Sequence, residues 1–217
     1  MGKIKVSMSA TLIFLAAALT GRVDIFLIYG LSAIMHEMGH LLAARARGIK
    51  IQEIRIGVSG ARICTEEQAG SYADEFILCM SGPLVNVLML AFGAAVLVYR
   101  NIGEESIARA IIDFADGKGQ VRLGAFIFFM LCSLLHGGLN LLPIKTFDGG
   151  RMLYCISAMV FGQRTAERVL SVTTALCMLL IWSAALFLMI RFDAGLSIYT
   201  FAACLFLSTL RDKELIE

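Results

Sequence analysis

Uncharged apolar runs constrain this chain more than any other feature of its sequence. Three of them, Phe76–Tyr99, Leu123–Ile144 and Val169–Ile190, extend for 24, 22 and 22 residues without a charged side chain. A helix needs about 20 apolar residues to cross the hydrocarbon core of a bilayer, and about 17 is the lower limit. Val6–Gly21 and Ala194–Leu210, of 16 and 17 residues, lie near that limit. The runs therefore predict several membrane-spanning helices.

The composition agrees with a membrane protein and excludes other classes. Hydrophobic residues make up 59% of the 217 positions and charged residues only 17%, whereas soluble domains have about 45–50% and about 25%. This chain has too little charge to cover a soluble globule. Its net charge of +2 gives no indication of a nucleic-acid partner. The six cysteines form no CxxC pair, and we interpret them as small buried apolar side chains.

A sixth apolar segment, Ile25–Ala44, is interrupted by Glu37 between two histidines. With this segment counted as a span, we predict an all-α membrane protein built as a bundle of six transmembrane helices. Residues 1–217 are predicted to form a single integral membrane domain, in which no PDZ or CBS domain is evident. If the N-terminus lies inside, 13 of the 19 Lys and Arg residues fall on the cytoplasmic side. The positive-inside rule therefore predicts a multi-pass protein of the cell membrane with both termini in the cytoplasm.

Two segments between the spans have amphipathic patterns. In Ile49–Ile63, β-branched residues nearly alternate with polar residues, and Gly57 and Gly60 are natural bend points. This pattern predicts a small amphipathic β element between helices two and three. In Gly103–Asp116 the apolar residues share one helical face, which predicts a short helix at the membrane interface.

The second span contains the sequence HExxH at His36–His40. Positions i and i+4 project from one face of a helix, so both imidazoles can bind one ion. Glu37 lies about 100° round from His36 and can reach a water on that ion. A charged group in a span costs about 2.5–3.5 kcal/mol, and a metal would offset that cost. The alternative is a structural cluster in which the histidines hydrogen-bond across helices.

A zinc site for hydrolysis uses three protein ligands and leaves one position for water. The best candidate for the third ligand is Asp148, which follows the helix-breaking Pro143 and precedes two glycines that loosen the chain. Asp148 is expected at the cytoplasmic end of its span. The HExxH is expected toward the cytoplasmic end of the second span, so both would lie at a similar depth on the same side. The alternative role for Asp148 is the N-cap of a helix that spans Gly149–Phe161. Spacing alone supports the ligand role and the N-cap role equally. His136, in the fourth span, is a further candidate ligand, although an interhelical hydrogen bond is more typical.

The order of three motifs resembles that of the site-2 protease family of intramembrane zinc metalloproteases. The HExxH is followed by G-x-x-x-N at Gly82–Asn86 and by N-x-x-P-x-x-x-x-D-G from Asn140 to Gly149. The compact layout is most similar to the branch that processes a sporulation pro-sigma factor. That branch usually carries a C-terminal CBS domain, which the sequence up to Glu217 does not contain.

The resemblance implies a zinc ion held by His36, His40 and Asp148, with Glu37 as the general base. It also implies that Asn86 and Asn140 lie at the site. These two amides are candidates for stabilising the oxyanion or binding a substrate carbonyl; the alternative for each is an interhelical hydrogen bond. All six residues are therefore candidate site residues.

The implied function is a zinc-dependent endopeptidase acting on membrane-associated or membrane-spanning proteins in regulated intramembrane proteolysis. Its implied substrate is a membrane-anchored regulator of the pro-sigma or anti-sigma type, with a separate membrane protein as regulatory partner. An edge strand within Ile49–Ile63 offers a way to pair with an unwound substrate, and proline at Ile54 is expected to impair cleavage. The alternative function is a non-catalytic membrane scaffold or chaperone with a vestigial metal site. Glu37 argues against that alternative, because a structural site needs no general base.

Overall fold

The computed structural model describes residues 3–6, 23–49, 51–57, 60–65, 71–118 and 121–192. The predicted spans Val6–Gly21 and Ala194–Leu210 lie outside the described residues, apart from Val6 itself, which ends a strand. The described elements, in chain order, are β1 (Lys3–Val6), α1 (Val23–Ala46), β2 (Ile51–Gly57), β3 (Gly60–Thr65), α2 (Tyr72–Tyr99), α3 (Glu104–Ala115), α4 (Val121–Asn140), α5 (Asp148–Phe161) and α6 (Gln163–Phe192).

Four of these helices, α1, α2, α4 and α6, are long and apolar enough to cross a membrane, judged by length and composition. They coincide with four of the six predicted runs, and the chain is a multi-pass membrane protein. A bundle of six spans stays a prediction. The uncharged run Leu123–Ile144 extends past the end of α4, which lies at Asn140. Pro143 explains the shorter helix, because a proline disfavours helical conformation in the residue before it and has no N–H to donate.

The chain divides into two compact units. The first comprises Met1–Gly70 and Met80–Leu139, and the second comprises Ser71–Cys79 and Asn140–Glu217. The first unit therefore carries the three strands, α1, α3 and most of α2 and α4. The second unit carries the start of α2 together with α5 and α6.

The three strands of the first unit form one sheet in the order β1-β2-β3. β2 and β3 are antiparallel and meet at the pair Gly57 and Gly60, and β1 runs parallel to β2. Ile54 of β2 pairs with Ile4 on one side and with Ile63 on the other. Ile54 therefore lies in the central strand, and the edge strand within the predicted segment is β3. The pattern of Ile49–Ile63 held no information about β1, which comes from a remote part of the chain.

Helix α1 carries small and polar residues on its inner face. Ser32, His36, His40 and Ala44 recur at every fourth position, and none is more than 8% exposed. The opposite face presents large apolar side chains that are 43–60% exposed, namely Leu27, Leu31, Ile34, Met38 and Leu42. Polar groups inside and apolar groups outside are the arrangement expected of a helix surrounded by lipid.

Small and hydroxyl-bearing residues set the spacing of the helices around α1. The hydroxyls of Ser32 and Ser133 form a buried hydrogen bond of 3.2 Å between α1 and α4, a contact worth about 0.6 kcal/mol in a membrane. On the α2 side, a Cβ at Gly39 would lie 2.4 Å from the carbonyl oxygen of Ser81. Only glycine permits that approach, which brings Ser81 and Asn86 of α2 alongside the α1 histidines.

Helix α3 corresponds to the amphipathic helix predicted over Gly103–Asp116. It buries Ala110 and Phe114, and Phe114 lies against Gly124 of α4, where a Cβ would be 2.5 Å from the Phe114 Cβ. The helix itself is thus confirmed. Its position at the membrane surface stays a prediction.

The second unit has a small apolar core between the loop that follows α4 and helix α6. Ile144 is fully buried and Met178 is 7% exposed, and partly buried apolar side chains such as Phe147 pack against them. The backbone N–H of Lys145 donates a hydrogen bond of 3.1 Å to the Thr174 hydroxyl. The loop that precedes α5 is therefore held against α6.

Candidate metal centre

The two histidines of the HExxH converge on one point. Their Nε2 atoms lie 3.1 Å apart, and their side chains are 1% and 8% exposed for His36 and His40. Ligand atoms of His36, Glu37 and His40 all lie within 4.8 Å of one another. Two nitrogen ligands of a tetrahedral zinc, each at about 2.0–2.1 Å, are about 3.3 Å apart. The structure therefore holds the two Nε2 atoms at close to the spacing that a shared ion requires.

Gly82 of α2 faces both of these ligand atoms. A Cβ at this position would lie 2.3 Å from His40 Nε2 and 2.6 Å from His36 Nε2. The missing side chain keeps open the space against both nitrogens. This space and the paired imidazole donors fit a zinc ion.

The outer nitrogen of each imidazole also faces α2. Asn86 Nδ2 lies 3.2 Å from His36 Nδ1, and Ser81 Oγ lies 3.4 Å from His40 Nδ1. Asn86 is 1% exposed, and its Oδ1 has no hydrogen-bond partner among the described residues. The structure thus brings Asn86 to the histidines, as the resemblance implied. Ser81 was not predicted as a site residue, although its position beside Gly82 of the G-x-x-x-N motif was an available signal.

The third histidine of the protein lies in the same cluster. His136 is 4% exposed, and its ring meets that of His36 edge-to-face, with centroids 4.7 Å apart and an interplanar angle of 82°. The ring of Tyr29 also meets that of His136 edge-to-face, with ring centroids 6.0 Å apart. Such contacts are typical of packed aromatic rings. They leave open both roles considered for His136, as a ligand and as an interhelical contact.

The two remaining predicted site residues belong to the second unit. Asn140 is the last residue of α4, and Asp148 is the first residue of α5. The N-cap of α5 is Phe147, which has extended backbone and makes no side-chain cap hydrogen bond. The alternative interpretation of Asp148 as the N-cap is therefore wrong. Asp148 lies in the first turn of α5, where a carboxylate interacts favourably with the helix dipole.

The two glycines after Asp148 have a different role from the one expected. They lie inside the first turn of α5, where a Cβ at Gly149 would be 2.1 Å from the Leu141 carbonyl oxygen. A Cβ at Gly150 would be 2.0 Å from the Ile144 carbonyl oxygen. The glycines do not loosen the chain; they let the preceding loop fold tightly against the start of α5.

An ion pair joins α5 to the start of α2 within the second unit. Arg151 Nη2 donates a hydrogen bond of 2.9 Å to Glu75 Oε1. Arg151 lies about one helical turn after Asp148 in α5. Burial, reinforced by the Glu75 carboxylate, raises the pKa of the Cys155 thiol to about 11. Cys155 is therefore a neutral thiol at physiological pH. Cys79, Cys132 and Cys155 are buried free thiols, which confirms for these three that they are apolar core residues.

The profile described as Peptidase family M50 matches residues 25–183. A chloroplastic zinc metalloprotease of Arabidopsis thaliana is 27% identical over 166 residues, covering 65% of this chain and 29% of that protein. Stage IV sporulation protein FB of Bacillus subtilis is 28% identical over 164 residues, covering 75% of this chain and 50% of that protein. The chain thus spans half or less of the length of these curated relatives.

The fold also matches a solved structure. The site-2 protease from Methanocaldococcus jannaschii superimposes with a TM-score of 0.65 at 17% identity, over 96% of this chain and 89% of that one. At this identity the match establishes a shared fold. The matched region of the family profile includes the HExxH, Gly82, Asn86, Asn140 and Asp148.

Proposed function

We propose, because the chain belongs to peptidase family M50, that it is a zinc-dependent intramembrane endopeptidase. Its substrates are membrane-associated or membrane-spanning proteins. One observation carries the proposal: two buried Nε2 atoms lie 3.1 Å apart beside Glu37, within a 24-residue apolar helix. Buried ionisable groups in a span are costly and are retained for function.

We propose that His36, His40 and Asp148 hold the zinc ion. Two histidines leave one protein ligand to be supplied, and a carboxylate oxygen is a suitable third donor. Support for Asp148 comes from its place in the D-G motif and from the loss of the N-cap explanation for it. His136 is the competing third ligand, because its ring contacts that of His36.

A bound zinc ion supplies Lewis acidity and lowers the pKa of water to about 7. Glu37, one residue after His36, is the general base. Its carboxylate takes a proton from the attacking water and passes it to the leaving amine. Asn140 is proposed to bind the oxyanion or a substrate carbonyl, as the motif resemblance implies. The burial of both histidines keeps bulk water away from the reacting groups and strengthens these interactions.

We further propose a membrane-anchored regulator of the pro-sigma or anti-sigma type as the substrate, and a separate membrane protein as regulatory partner. A single membrane domain over residues 1–217 with cytoplasmic termini is part of the same proposal. The distribution of Lys and Arg residues between the two sides supports that orientation.

Metal content tests the proposed ligand set. We expect detergent-purified wild-type chain to carry about one zinc, and His40→Ala and Asp148→Ala each to lose it or bind it about 10–100-fold more weakly. Asp113→Ala is the matched control, because Asp113 is an exposed aspartate of α3 and should not affect zinc. Zinc per chain is measured by atomic emission, with affinity from chelator competition.

The pattern of zinc loss among the variants shows which part of the proposal is wrong. Unchanged zinc in Asp148→Ala, with loss in His136→Ala, would replace Asp148 by His136 as the third ligand. No zinc in the wild type under any condition would contradict the metalloprotease. Cleavage is followed with a membrane-spanning reporter in liposomes, where a chelator should stop it and added Zn²⁺ restore it.

A further inference from the structure

We propose that Asn86 is a positioning residue of the metal centre. Its Oδ1 accepts a hydrogen bond from Nδ1–H of His36, which directs the lone pair of His36 Nε2 towards the ion. This inference rests on the proposed function in one respect, namely that the two histidines bind zinc. It gives Asn86 a role at the far side of the imidazole and not at the substrate.

The starting observation is the contact between the Asn86 amide and His36. Nδ2 lies 3.2 Å from His36 Nδ1, while Oδ1 is buried without a partner among the described residues. The two ends of an amide have nearly the same shape, and a half-turn about the last side-chain bond exchanges them. Either orientation leaves one end unpaired, so burial does not distinguish them.

The protonation of His36 distinguishes them. If Asn86 Nδ2 donates to Nδ1, a neutral His36 carries its proton on Nε2 and has no lone pair there for a metal. Nε2 atoms 3.1 Å apart can share one proton, and an ion bound by both displaces it. The His36 proton then belongs on Nδ1, from which the oxygen of the Asn86 amide is placed to accept a hydrogen bond. Metal-binding histidines are commonly held by such a second contact.

The surroundings of Asn86 support a fixed orientation. A Cβ at Gly137 of α4 would lie 3.0 Å from both Asn86 Cβ and Nδ2, so the side chain is held between α4 and His36. On the same helix, Ser81 Oγ lies 3.4 Å from His40 Nδ1 and is able to accept its proton. Helix α2 thus orients both imidazoles from behind, with Gly82 facing their ligand atoms.

Two substitutions of similar size separate this role from simple packing. Asn86→Asp keeps an acceptor and removes the donor, whereas Asn86→Leu removes both. We expect Asn86→Asp to bind zinc about as tightly as the wild type or more tightly, and Asn86→Leu about 10–100-fold more weakly. Zinc affinity is measured by chelator competition, and the visible spectrum of the Co²⁺-substituted chain reports ligand geometry. Ser133→Ala is the control, because it removes a buried interhelical hydrogen bond in which neither imidazole takes part.

A direct measurement of the tautomer is practical because the protein has only 3 histidines. In ¹⁵N-histidine spectra of the zinc-loaded wild type, His36 should carry its proton on Nδ1. A proton on Nε2, or equal zinc affinity in Asn86→Leu and the wild type, would overturn the inference and leave the protease proposal standing. Equal weakening in Asn86→Asp and Asn86→Leu would also overturn it. If the wild type bound as little zinc as His40→Ala, that result would instead contradict the proposed function.

Discussion

Glu37→Gln is expected to bind zinc like the wild type and to cleave a membrane-spanning reporter about 10²–10⁴-fold more slowly. Glutamine has nearly the same shape as glutamate but cannot take a proton from the attacking water. The ligand atoms of His36 and His40 are unchanged by the substitution, so zinc should remain. The measurement pairs zinc content with the cleavage rate in the same preparation.

Glu105→Gln is the matched control for Glu37→Gln. Glu105 is an exposed residue of α3 that pairs with Arg109, and its substitution should leave both zinc content and cleavage unchanged. Loss of zinc in Glu37→Gln would show that the carboxylate is a ligand and not the base. Wild-type cleavage in Glu37→Gln would rule out the general-base role. Absence of cleavage in the zinc-loaded wild type across membrane substrates would favour the non-catalytic scaffold.

Gly82→Ala is expected to weaken zinc binding by about 100-fold or more, a loss at the upper end of that seen when the surroundings of a metal site are disturbed. The new methyl group would lie 2.3 Å from His40 Nε2 and 2.6 Å from His36 Nε2. These distances are well inside van der Waals contact, and the methyl occupies the side from which both nitrogens face the ion. Zinc per chain and affinity from chelator competition measure the effect.

Two glycines provide controls for this substitution. Gly30 in α1 and Gly138 in α4 have no atom within 4 Å of an added Cβ, so alanine at either position should leave zinc unchanged. Alanine also favours helix by about 1 kcal/mol over glycine, and the controls should be at least as stable as the wild type. Wild-type zinc affinity in Gly82→Ala would mean that the ion does not lie between the two Nε2 atoms. A thermal unfolding curve shows whether zinc loss reflects unfolding.

Local periodicity was sufficient to predict several features. The lengths of the apolar runs predicted α1, α2, α4 and α6 because bilayer thickness sets a minimum helix length. The 3.6-residue repeat placed His36 and His40 on one face, and the structure shows their Nε2 atoms together. The same repeat predicted α3. Each of these features depends on residues that are near one another in the chain.

Other features of the structure could not be predicted from local sequence patterns. Spacing could not decide between ligand and cap for Asp148, because the cap position depends on the backbone of Phe147. The alternation in Ile49–Ile63 could not reveal that β1 covers the other edge of β2. The tight turn at Gly149 depends on where the Leu141 carbonyl lies after the loop folds back.

By itself the sequence determined the membrane class, five of the described helices and the pairing of His36 with His40, because these follow from composition and helical repeat. Only the tertiary structure decided which residues contact the Nδ1 atoms of those histidines. Ser81 and Asn86 reach them across sequence separations of 41 and 50 residues. Such contacts exist because Gly39 lets α2 approach α1 closely, and that interhelical distance is not encoded in a local pattern.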